Sequence, residues 1–158
     1  MGAGSERRMR GSLVRWWWRR RIWAVPVAVF VALSLPTLFG GRWAVDMGWY
    51  GGISRSIVER GDAWYLHAGD RVYFNKPPLA FWLTAACQWA FGGDAWAVRL
   101  SGWLCACGCV VATAALVRRL HGARAGLAAG VVMATTSELI RVSTQFRLDV
   151  PHLLFVLL

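Results

Sequence analysis

Lysine is all but missing from this sequence, and acidic residues are scarce. Among 158 residues there are eighteen basic side chains, of which only Lys76 is a lysine, against eight aspartates and glutamates. The net charge of +10 would suit a nucleic-acid binder, but the basic face with interleaved aromatics that such a protein needs is absent. Instead, seven arginines (Arg7, Arg8, Arg10, Arg15, Arg19, Arg20 and Arg21) crowd into the first 21 positions, directly ahead of an apolar run. That is the positive-inside signature of a membrane anchor, and it argues against nucleic acid as a partner.

Metal-type cysteine spacing is missing too. Three of the four cysteines form CACGC (Cys105, Cys107, Cys109) among Leu, Val and Ala, whereas zinc sites use wider spacings with further ligands nearby. These residues read as small, soft side chains at a helix–helix contact. A signal-peptidase step is also lacking. Residues 22–40 run for 19 positions without a charge, longer than the roughly 7–15 residues of a signal-peptide core, and no A-x-A closes them. They predict an uncleaved first span, long enough for a bilayer core of about 30 Å. Residues 1–21 become a basic cytoplasmic arm, with RWWWRRR as its aromatic belt. A composition that is 57% hydrophobic with eleven tryptophans fits the same class. No polar tail closes VPHLLFVLL, so the chain reads as the front portion of a longer one.

Residues 41–97 are mixed and carry five of the eight acidic residues; they form the expected first outer loop. Within it GGISRSIVERG predicts a short amphipathic helix, with Ile53, Ile57 and Val58 on one face and Gly61 as its stop. LHAGDRVYF predicts a turn at Ala68 to Asp70 followed by a short extended piece. PLAFWLTAACQWAF would reach only about 21 Å as a helix, so it is expected to lie at the surface rather than cross. That choice also keeps Arg118, Arg119 and Arg124 inside. The spans then run 22–40 outward, 98–117 inward and 125–145 outward, with a fourth from near Val150. The expected fold is all-α: a polytopic membrane module over 22–158, with about four transmembrane helices and surface helices in the outer loop. Glu138 and Arg141, three residues apart, are expected to pair on the third span. On this topology Asp46, Lys76 and Asp149 share the outer surface.

Each of the three carries two readings. Asp46, among Trp43, Trp49 and Tyr50, is either a helix N-cap or a partly desolvated carboxylate able to act as a base or a metal ligand. Lys76 is either a snorkelling anchor or a compact charge suited to a phosphate, on a backbone stiffened by Pro77 and Pro78. The choice of lysine in a chain that otherwise uses arginine favours the phosphate. Asp149, two residues after Arg147 and two before Pro151, fits a cap and an active-site acid equally well.

DMGWYGGISRSIVERGD, YFNKPPLAFWL, WAVRLSGWL and the RLD step together resemble the N-terminal part of polytopic glycosyltransferases that use lipid-linked sugars. These are the aminoarabinose transferases of lipid A and the wider protein O-mannosyltransferase-like group. The resemblance runs from about Trp43 to the last residue. It implies an inverting glycosyltransferase, integral to the bacterial inner membrane with its N-terminus in the cytoplasm. Such an enzyme transfers a sugar from a polyprenyl-phosphate donor to an acceptor on the periplasmic side. It further implies Asp46 as the base that activates the acceptor and Asp149 as a second essential acid. Lys76 would hold the donor phosphate, with Tyr73 beside it and Arg99 opening the second span as a further substrate-binding residue. Two departures bear on metals: Met47 follows Asp46 where the family has Asp-Glu, and Asn75 replaces the glutamate of the aminoarabinose branch. A neutral amide is a poorer metal ligand than a carboxylate, so no metal is carried over. Such enzymes need further spans to enclose the donor, so this stretch alone is expected to be inactive. The alternative is a non-catalytic or truncated membrane protein, such as a transporter fragment, whose charges serve only as caps and anchors.

Overall fold

A computed structural model describes residues 23–41 and 45–158; the basic arm over 1–21 lies outside the described residues. The uncharged run folds as helix α1, Trp23–Gly40. Pro26 and Pro36 lie within it, as membrane helices tolerate. Ser34 donates its hydroxyl to the Phe30 carbonyl (2.6 Å) and accepts a bond from the Trp103 indole N–H (2.8 Å). That second bond ties α1 to a helix far along the chain.

The stretch between α1 and the next long helix is more helical than its sequence suggests. Helix α2 spans Val45–Arg60 and starts six residues before the expected Gly51. Gly48 would argue for a loop here, but packing overrides it. Met47 and Ile53 are buried, and a Cβ on Gly51 would meet Val98 Cγ1 at 3.2 Å, so this glycine lets the helix come close to its neighbour. Gly61 ends α2 as expected, with φ +68 and its N–H donating to the Ile57 carbonyl at 3.0 Å. Val58, expected on the buried face, is 37% exposed. The predicted turn is a hairpin of two very short strands, β1 (His67–Ala68) and β2 (Arg71–Val72), paired antiparallel around Gly69 at φ +65.

Helix α3, Leu79–Phe91, has 13 residues, about 20 Å at 1.5 Å per residue, and so is too short to cross a bilayer core. It buries Phe81, Thr84, Ala85 and Gln88, spaced three or four apart as one helical face requires. Trp82, Leu83, Trp89 and Phe91 stay exposed. Two of the buried polar groups find partners and the Gln88 Oε1 does not. Thr84 and Ser101 share a 2.6 Å hydroxyl bond, and the Gln88 amide donates to the Gly51 carbonyl at 3.3 Å.

Helix α4, Ala95–His121, is 27 residues long, extending the expected 98–117 at both ends. Gly122, at φ +86, turns the chain into α5, Ala123–Thr135, which packs back along α4. The approach needs glycine: a Cβ on Gly126 would meet Arg118 Cβ at 2.6 Å, and one on Gly130 would meet Pro26 Cγ at 2.8 Å. The expected third span covers 125–145. It breaks at Thr136 into α5 and α6, Ser137–Ser143, with a bend of 58°. Hydroxyl back-bonding accompanies the bend. Thr135 donates to the Val131 carbonyl (3.0 Å) and Thr136 to that of Val132 (2.9 Å), satisfying acceptors that would otherwise hold the helix straight. Glu138 and Arg141 pair as expected, with Arg141 Nε donating to Glu138 Oε2 at 2.8 Å. Helix α7, Asp149–Leu157, carries the fourth apolar run. Two of the described helices are long and apolar enough to cross a membrane, three if the bent pair counts as one. The fold is that of an all-α membrane protein.

Two apolar clusters result. One joins α1, α4, α5, α6 and α7 through Phe30, Ala106, Cys109, Val110, Leu139 and Val150; Cys105 and Cys109 are core residues within it. The other, the loop cluster, lies among α2, the hairpin and α3 and gathers Met47, Ile53, Leu66 and Phe81 with Val98 of α4 and Phe146.

Candidate active site

The KPP step shapes the start of α3. Pro78 occupies the N-cap position of that helix with φ −75, and its carbonyl accepts the Trp82 N–H at 3.0 Å. A proline costs nothing where the helix has no carbonyl to offer its nitrogen. On the hairpin side, the Tyr73 N–H donates to the Leu66 carbonyl at 2.7 Å. Lys76 is thus strung between two fixed points, with its side chain exposed.

Beneath it lies an aromatic cage. Tyr50 of α2 packs against Phe81 of α3 (5.8 Å between centroids) and Phe146 (5.9 Å); Phe81 also meets Tyr73 (6.0 Å) and Phe146 (6.0 Å). Burial, then the adjacent Tyr50, push the Tyr73 phenol above its ordinary range. It is therefore a neutral hydrogen-bond donor at physiological pH.

Phe146 precedes Arg147 and Asp149 at the turn into α7. The N-cap position of α7 is Leu148, and no side chain caps it; the Asp149 carboxylate is not spent on that bond. Lys76, Arg147 and Asp149 line one pocket of about 170 Å³ with Tyr50, Phe146 and Leu148. A second pocket of about 420 Å³ adjoins it, bounded by Trp64, Tyr73, Phe74 and Asn75, and Lys76 lines both. The structure therefore brings Lys76 and Asp149 to one cavity, with Tyr73 in the next. Two cations facing one carboxylate leave this pocket able to attract an anion.

Arg99 lies elsewhere. It is 1% exposed, and its guanidinium donates to the Leu38 carbonyl at 3.0 Å and to that of Gly41. It caps the C-terminal end of α1, where carbonyls lack helical partners and a cation is favourable. It is not among the residues that line either pocket. Asp46 is described through its backbone, as the second residue of α2, one turn before Tyr50. Among the described residues no three His, Cys, Asp or Glu side chains cluster as a metal site would require. Tyr50, Phe146 and Arg147 were not singled out as site residues by the sequence. Arg147 had a signal, its place two residues before Asp149; the others act through tertiary packing.

The sequence profile described as dolichyl-phosphate-mannose-protein mannosyltransferase matches residues 75–158, just over half of the chain. The match takes in Lys76, Arg99, Arg147 and Asp149 and begins after Asp46, Tyr50 and Tyr73. The chain is also similar to the undecaprenyl phosphate-α-4-amino-4-deoxy-L-arabinose arabinosyl transferase of Serratia proteamaculans, 38% identical over 79 residues, 49% of this chain and 14% of that protein. The enzyme of the same name from Photorhabdus laumondii is 32% identical over 87 residues, 54% of this chain and 16% of that protein. A Pseudomonas fluorescens relative is 33% identical over 101 residues, 62% of this chain and 18% of its own length. The chain thus spans less than a fifth of the curated relatives it matches. No solved structure matches it.

Proposed function

Because the chain belongs to the dolichyl-phosphate-mannose-protein mannosyltransferase family, we propose that it serves a membrane glycosyltransferase. The donor is a sugar on a polyprenyl phosphate, the class that the relatives' names specify. The acceptor is met at the periplasmic face of the bacterial inner membrane, with the N-terminal arm in the cytoplasm. The observation that carries this reading is the pocket shared by Lys76, Arg147 and Asp149, three ionisable residues drawn from two separate turns.

The chemistry assigned to each residue follows from the reaction. An acceptor oxygen attacks the anomeric carbon from the face opposite the phosphate; the new C–O bond forms as the bond to the phosphate oxygen breaks. The leaving polyprenyl phosphate takes the electron pair, and the acceptor proton must go to a base. Lys76, with Arg147 beside it, offsets the charge that grows on the leaving group, a role in which one fixed donor is worth about 10²–10³ in rate. Asp46, one turn before Tyr50, takes the acceptor proton. Asp149 orients Lys76 and accepts bonds from sugar hydroxyls. The neutral Tyr73 phenol supplies a further donor to the phosphate. A site at the membrane surface suits a donor whose tail stays in the bilayer.

The test is sugar transfer in membranes of cells producing the protein at its full natural length. Lys76→Ala and Asp46→Asn should each reduce transfer by about 10² or more while the protein still inserts. Near-normal transfer by both variants would overturn the assignment.

A further inference from the structure

Phe146 is the one non-glycine residue with positive φ among the described residues, at +36. For a bulky side chain this is an unfavourable backbone, kept only where the surroundings force it. A glycine would make the same turn freely. The ring shows what forces it. Phe146 is 3% exposed and packs against Tyr50 of α2 and Phe81 of α3. The helices on either side of it, α6 and α7, pack instead on α4. Phe146 therefore reaches from the spanning bundle into the loop cluster, and the residues that follow it, Arg147 and Asp149, meet Lys76 in one pocket.

We propose that Phe146 is a positioning residue, a strained aromatic latch that docks the turn bearing Arg147 and Asp149 against the elements bearing Lys76. The effect on transfer rests on the reading of that pocket as the donor site; the effect on geometry does not. With the ring gone, the turn has no anchor in the loop cluster, and the two halves of the pocket can drift apart. A displacement of about 1 Å at a reacting centre costs on the order of 10²-fold in rate.

The strained φ supplies a control. Phe146→Gly and Phe146→Ala both delete the ring, but glycine also relieves the backbone, so general misfolding should spare the glycine variant. Geometry is read by cross-linking with a short bis-maleimide. Cysteines are introduced as Lys76→Cys and Asp149→Cys in a protein whose four native cysteines are replaced by alanine. The link should form with Phe146 present, drop to background with Phe146→Gly, and largely return with Phe146→Leu, which keeps an apolar anchor. An undiminished link in the Phe146→Gly protein overturns the latch, as does a loss that Phe146→Leu fails to restore. Transfer is measured separately, with Lys76 and Asp149 intact, and should fall about 10²-fold in both ring-deleted variants. If cross-linking is lost while transfer is untouched, the latch stands and the donor-site reading falls.

Discussion

Replacing Arg99 with methionine separates two roles that sequence patterns cannot distinguish, substrate contact and helix cap. The side chain is buried, and its guanidinium donates to two carbonyls at the end of α1. Hydrogen bonds to a charged group are each worth about 1.5–3 kcal/mol, so losing both gives a gross cost of roughly 3–6 kcal/mol. Against that stands the relief of no longer burying a charge, and methionine refills much of the volume. The Arg99 Nε has no partner, which makes the relief real. The net expectation is a destabilisation of about 2–4 kcal/mol. Arg99→Lys, which presents a point charge rather than a fork, should recover part of it. The assay is unfolding of the purified protein in detergent, followed by thiol exposure at the buried Cys105 and Cys109. Wild-type stability in Arg99→Met, together with weakened donor binding, would refute the cap and return Arg99 to the substrate.

Further outcomes follow from the same geometry. Arg147→Gln removes one of the two cations of the smaller pocket while keeping an amide of similar reach; donor KM should rise about tenfold, the worth of one charge-assisted bond, with membrane insertion unchanged. Gly126→Val would drive a Cβ into Arg118 Cβ, 2.6 Å from its ideal position. It should cost about 1–3 kcal/mol by overpacking, measured as a loss of folded protein in detergent, whereas Gly40→Ala, with nothing within 4 Å, should be tolerated far better.

What could be read from the sequence, and what could not, divides along a physical line. Apolar length is a property of contiguous residues, so α1 and the short, non-crossing α3 were both legible. Gly61 was legible as a stop because a left-handed residue after a helix is a local demand. The early start of α2 was not: Gly48 argues for a loop, and only burial of Met47 against distant elements reverses that. The break at Thr136 was hidden for another reason, since hydropathy does not register hydroxyls that turn back on their own helix. At the site, Lys76 and Asp149 stood out as rare charges beside prolines. Arg147 was marked only by its place two residues before Asp149, and the cage of Tyr50, Phe81 and Phe146 exists only once three separate segments have met. For Arg99 the family pattern marked the position, but its partners, carbonyls some sixty residues away, belong to the fold.

The most direct measurement concerns sidedness. Single cysteines placed by Lys76→Cys and by Asp149→Cys, each with the native cysteines replaced, are exposed to a membrane-impermeant maleimide in spheroplasts and in inverted vesicles. A shared site at the outer face requires that both label from that face and neither from the inner. Labelling of the two positions from opposite faces would contradict it.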